Sequence, residues 1–215
     1  MVGVRKAWLF TNPSPPEIYS SYSSIDAVND LIVAVDNGLA RLKMLNLMPH
    51  ILIGDFDSLD SHLLEMYPNV PKLKFPTHKD STDTELALEW CLNEGVRELV
   101  ICNDLGGRFD HALALVQNLY ACFDAGMAAC IESLTQQVIF LTAHTEIRDK
   151  EGYLLTLLAW EGEAEFLDSK GLEYPLQGLK LTSGHPRGIS NRIISQEASI
   201  EVVSGKVLAV FTKIN

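Results

Sequence analysis

The sequence predicts an N-terminal parallel-sheet, three-layer α/β domain followed by a smaller all-β sandwich domain, with bounds at 1–142 and 143–215. Two observations lead there. Up to about residue 135, short apolar runs alternate with helical stretches across short polar joints, the pattern of a parallel sheet with helices on both faces. Beyond it, strand-length runs follow one another between Gly, Pro, Asp or Ser, and no helical period separates them.

In order, residues 6–10 read as a first buried strand that runs into a Pro-rich turn. Residues 31–35 form a second strand, ending in Asp36-Asn37-Gly38, and a helical segment covers 39–47. Ile51-Leu52-Ile53 is a third, halted by Gly54 and followed by Asp55 and Asp57. After a short strand at 73–75 comes a helix with a wet stripe at Glu85, Glu89 and Asn93. A strand at 98–102, a helix at 110–124 and a strand near 128–131 complete the alternation. In the second part, runs at 137–142, 153–160, 164–168, 179–182, 199–203 and 207–212 read as strands. Ser204-Gly205-Lys206 reads as a tight hairpin between the last two.

Composition narrows the function. With 17 Lys and Arg against 28 Asp and Glu, the formal net charge of −11 excludes nucleic acid as a partner, since that needs a basic face to displace counterions. A polyphosphate remains accessible if divalent cations neutralise both sides. No apolar run approaches a membrane span, and the first six residues lack a signal-peptide core. Cys91, Cys102, Cys122 and Cys130 have apolar neighbours and no paired metal-ligand spacing, so they are expected as reduced core residues in a cytoplasm.

Four polar clusters fall where strands end: Asp36, the Asp55/Asp57 pair, residues 79–83 and residues 103–111. Strands of a parallel sheet point one way, so these loops gather at one rim. Two carboxylates at i and i+2 in an extended segment share a side and can reach one hard cation. Alternatively, Asp57 or Ser58 caps a helix beginning near Asp60. Thr82 with Glu85 fits a capping box, whose N–H groups would face the rim and favour phosphate, with Asp83 able to join a metal shell. Gly106-Gly107-Arg108 before a helix lets backbone N–H groups approach an anion while arginine forks two oxygens; the plainer reading is a glycine turn with a solvated arginine. His111 reads as packed or capping rather than as an acid or base. In the β domain, Ser190 and Asn191 could hydrogen-bond a heteroaromatic ligand, although a surface loop is the simpler reading.

Taken together, the ordered motifs GDFDS (54–58), KDSTDTE (79–85), GGRFDH (106–111) and GISN (188–191) resemble the thiamine pyrophosphokinase family across essentially the whole chain. Asp36-Asn37-Gly38 is similar to that family's Asp-Gly-Gly turn with Asn in place of the first Gly, at a position where positive φ is expected. The stretch His185-Pro186-Arg187 departs from the pattern. The resemblance implies transfer of the diphosphate of ATP to the hydroxyl of thiamine, releasing AMP, in a homodimer whose thiamine site is shared between subunits. It implies Mg²⁺ on Asp55, Asp57 and Asp83, and ATP contacts from Asp36, Asn37, Lys79, Thr82, Gly106, Gly107, Arg108 and Asp110. Asp80 or Asp36 would orient the attacking hydroxyl, and Ser190 and Asn191 would hold the pyrimidine. A related metal-dependent nucleotide transferase or phosphoesterase, and a thiamine binder without turnover, are the alternatives.

Overall fold

The computed structural model describes residues 5–11, 20–57, 59–76 and 80–214. The chain separates into two compact units, Met1–Leu134 and Thr135–Asn215. The strand Gln136–Phe140 pairs antiparallel with the last strand of the chain.

In the first unit, β1 (Arg5–Phe10), β2 (Leu31–Val35), β3 (Ile51–Gly54), β4 (Lys72–Lys74), β5 (Val96–Cys102) and β6 (Ala128–Glu132) pair in parallel in the order β6-β5-β1-β2-β3-β4. All five residues of β2 are buried, as an apolar run covered on both faces requires. Period-two alternation assigns the faces. Trp8, Phe10, Ile32, Ala34 and Leu52 share one core cluster with Leu39 and Leu42 of α1 (Gly38–Met44) and Leu63 of α2 (Ser61–Glu65). The buried face of α3 (Asp83–Asn93), with Ala87, Leu88 and Cys91, packs against β2, β3 and β5. The last helix, α4 (Phe109–Asp124), packs against β6 and α3.

After β1 the chain steps outward through β2, β3 and β4, then returns to β5 on the other side of β1. This reversal leaves a crevice at the C-terminal end of β1, the place where open α/β sheets bind ligands.

The second unit is built on two long strands, β9 (Leu154–Lys170) and β12 (Glu197–Thr212), which pair along their length. One half of this pair carries β11 (Gly188–Arg192) and β7 (Gln136–Phe140); the other carries β10 (Lys180–Thr182) and β8 (His144–Arg148). Leu155, Leu157, Ala209 and Phe211 from the first half share one core with Ala164, Phe166, Ala198 and Ile200 from the second, giving the expected sandwich.

The expected hairpin at Ser204-Gly205-Lys206 is corrected. Those residues lie inside β12, where the pairing register shifts repeatedly between Glu201 and Val207. Gly205 (φ +86) sits opposite Glu163, whose carbonyl oxygen would be 2.3 Å from a Cβ at 205, and Gly162 (φ +59) bends β9 at the same level. The two runs expected at 153–160 and 164–168 are therefore one bulged strand.

Candidate active site

The crevice is a cleft of about 440 Å³ in the first unit, lined by Thr11 at the end of β1, Asp36 and Asn37 after β2, and Asn103 and Gly106 after β5. Thr82, Asp83 and Thr84 at the start of α3 close one side, and His111, Leu115 and Asn118 of α4 another.

Two carboxylates of the cleft lining, Asp36 and Asp83, converge with that of Asp55. One oxygen each from Asp36, Asp55 and Asp83 lies within 4.8 Å of the others, and all three residues are half-buried. Asp36 holds φ +44, a left-handed conformation uncommon for a residue with a Cβ, and its N–H donates to Ile53 O at 3.0 Å. Asn37, by contrast, is right-handed (φ −67), so the departure from Asp-Gly-Gly costs no strain at that position. Asp83 is the first residue of α3. Thr82 caps that helix through a full capping box: Oγ1 accepts from Glu85 N at 3.2 Å, and Glu85 Oε2 accepts from Thr82 N at 2.6 Å.

Of the three carboxylates expected to hold the metal, Asp55 and Asp83 lie in this trio. Asp57 is exposed and stays outside the trio, while Asp36 takes a place in it. The i, i+2 argument needed an extended backbone, but Phe56 turns left-handed at φ +64 and aims Asp57 elsewhere. Asp57 instead donates its N–H to Asp55 Oδ1 at 3.0 Å. The cap of α2 is Asp60, which accepts from His62 N, in place of the expected Asp57; Ser58 lies outside the described residues.

The glycine loop after β5 is tied to the sheet. Asn103 N donates to Glu132 O, its Nδ2 donates to Thr11 Oγ1 at 2.8 Å, and its Oδ1 accepts from Leu105 N at 2.8 Å. Leu105 (φ +55) and Gly107 (φ +80) supply the left-handed steps that turn the loop into α4. Gly106 reaches the cleft; Arg108 is exposed and holds Asp110 through Nε and Nη2, outside the cleft lining. The hydrogen bond from Arg108 holds the Asp110 carboxyl below its ordinary range. Asp80 is exposed, and Lys79 lies outside the described residues. Thr11, Asn103, Thr84, His111 and Asn118 line the cleft without having been assigned a role. For Thr11 and Asn103 the available signal was position, directly after a strand; Asn118 offered none.

In the second unit the two GISN residues part company. Asn191 is 6% exposed, and both ends of its amide are committed: Oδ1 accepts from Tyr174 N at 3.0 Å and Nδ2 donates to Tyr174 O at 2.7 Å. It faces inward because its neighbours in β11 face out. Ser190 is exposed at a bulge (φ +59), and its N–H donates to Thr156 Oγ1 at 3.4 Å.

Comparison with known proteins then decides the family. The profile described as thiamin pyrophosphokinase, catalytic domain, matches residues 23–131, and that described as its vitamin B1 binding domain matches residues 144–207. The chain belongs to the thiamin pyrophosphokinase family.

Thiamine pyrophosphokinase of Bacillus subtilis (strain 168) is a relative 26% identical over 184 residues, covering 84% of this chain and 86% of its own. Thiamin pyrophosphokinase 1 of Caenorhabditis elegans is 22% identical over 187 residues, 81% of this chain and 74% of its own. The fold is that of the crystal structure of the Bacillus subtilis thiamine pyrophosphokinase (TM-score 0.88, 22% identity, 98% and 100% of the chains). The yeast enzyme of the same family superposes at TM-score 0.76 with 18% identity over 98% and 87% of the chains. No described helix is long and apolar enough to cross a membrane.

Proposed function

We propose that the chain transfers the diphosphate of ATP to the hydroxyl of thiamine, forming thiamine diphosphate and AMP. The observation that carries this reading is the Asp36, Asp55 and Asp83 trio, of which Asp36 and Asp83 line a strand-tip cleft, in a chain of this family. Three half-buried carboxylate oxygens are a hard donor set, and their span leaves room for a cation that keeps several waters, as Mg²⁺ does. Mg²⁺ held there would neutralise phosphate charge and render the β-phosphorus electrophilic.

The chain's own residues do the rest by positioning and charge. The thiamine hydroxyl oxygen attacks the β-phosphorus and releases its proton to solvent, the bond from that phosphorus to the α,β-bridging oxygen breaks, and AMP leaves with that oxygen. The capped start of α3 and the Gly106-Gly107 backbone direct N–H groups at phosphate oxygens. Asn37 and Thr82 contact the nucleotide. Arg108 reaches the migrating group by exchanging Asp110 for phosphate, and Lys79 adds a second cation. Asp57, two residues beyond Asp55 and outside the trio, would assist a metal held there only through the water around it. With Asp36 in the trio, Asp80 is the carboxylate that orients the attacking hydroxyl. Exposed Ser190 faces the pyrimidine, while Asn191 builds the wall behind it. The enzyme works in the cytoplasm as a homodimer with the thiamine site shared between subunits.

Incubation with Mg-ATP and thiamine, following AMP and thiamine diphosphate together, tests this. Equimolar appearance of both is expected. Thiamine uptake without AMP, or release of inorganic phosphate instead, would refute it.

A further inference from the structure

We propose that Arg41 and Asp104 are positioning residues, whose buried ion pair holds the carboxylate loop after β2 and the glycine loop after β5 at the mutual spacing Mg-ATP requires. This rests on the function proposed above.

Arg41 Nη2 lies 3.7 Å from Asp104 Oδ2, with side chains only 5% and 15% exposed. The ion pairs Lys6–Glu98 and Arg148–Glu146, by comparison, lie at the surface, where such contacts contribute little. Stability is a poor reason for a buried pair: removing two charges from water offsets most of their attraction, and apolar residues of equal volume would serve as well.

The placement offers a better one. Arg41 stands on the buried face of α1, which begins directly after Asp36 and Asn37, so helix and loop move as one body. Asp104 lies between Asn103 and Leu105, two steps before Gly106 in the cleft. In the sheet, β1 separates β2 from β5, and the ion pair bridges the loops that follow those two strands. Asn103 binds Thr11 at the end of β1 itself. The two walls of the cleft are thus tied to each other and to the strand between them. A non-directional attraction at 3.7 Å sets their spacing while tolerating small adjustments as phosphates arrive.

The test is calorimetric titration of Mg-ATP into the full chain without thiamine, followed by steady-state kinetics. Asp104→Asn is expected to weaken Mg-ATP binding about fivefold or more and leave the KM for thiamine unchanged, with Asp104→Glu recovering much of the loss. A double variant, Arg41→Met with Asp104→Leu, removes both charges together and is expected to melt no lower than wild type, yet bind Mg-ATP as weakly as Asp104→Asn. Wild-type Mg-ATP affinity in the double variant overturns the inference, as does failure of both variants to fold, which would make the pair a folding element. Wild-type protein that takes up no Mg-ATP would overturn the proposed function and this inference together; unaltered binding in the variants overturns this inference alone.

Discussion

Asp36 Oδ1 lies directly over Gly54, so close that a Cβ at position 54 would stand 1.8 Å from it. The carboxylate that joins the trio from β2 therefore rests on the one residue of β3 that has no side chain. This contact explains why the strand Ile51–Gly54 ends as it does.

Gly54→Ala is accordingly expected to expel Asp36 from the trio and to strain a backbone at φ +151. The cost should be about 2–3 kcal/mol. Thermal unfolding and Mg²⁺ titration would register both effects; an alanine variant with wild-type melting and metal response would mean the contact is absent in solution.

Carboxylates of the trio should matter more than Asp57. Asp36→Asn and Asp55→Asn are each expected to lower kcat/KM about 100-fold or more at unchanged melting temperature. Asp57→Asn should lose less and regain rate at high Mg²⁺. An Asp57 variant as inactive as the Asp55 variant would return Asp57 to the metal's first ligands.

Asn191→Ala removes both part-buried bonds to the Tyr174 backbone, at about 1–3 kcal/mol for the pair. Its melting temperature should fall by about 2–4 °C per kcal/mol, while Ser190→Ala melts normally and raises the KM for thiamine. A stable Asn191→Ala protein with a selective thiamine defect would contradict this division of roles.

Alkaline conditions should weaken the α/β unit through Cys122. Burial raises its thiol from an ordinary 9.0 to about 11. The folded state then holds the proton more tightly, so this contribution is complete below pH 9 and is lost as pH rises through about 11. Melting curves between pH 8 and 11 should fall more steeply for wild type than for Cys122→Ala; parallel curves would exclude the thiol as the cause.

The strands of the first unit were legible because each is a short apolar run closed by a polar turn, and the start of α3 because Thr82 and Glu85 satisfy its end groups locally. The direction of Asp57 depends on the φ of Phe56, which the local residue types do not specify. Gly205 was misread for a similar reason: a glycine at positive φ serves a hairpin or a bulge equally, and pairing with a distant strand decides which. The amide of Asn191 suits a ligand and a structural partner alike, and its bonds to Tyr174, 17 residues away, are a tertiary feature.

By itself the sequence determined which segments are strands, which loops carry acid, and that a helix start and a glycine loop lie at one rim, because hydrophobic period and end-capping are local properties. Tertiary structure alone decided that β1 lies between β2 and β5, which brings Asp36 rather than Asp57 beside Asp55 and Asp83 and sets Arg41 against Asp104. Strand order and left-handed turns arise from contacts between residues far apart in the chain, and no local pattern encodes them.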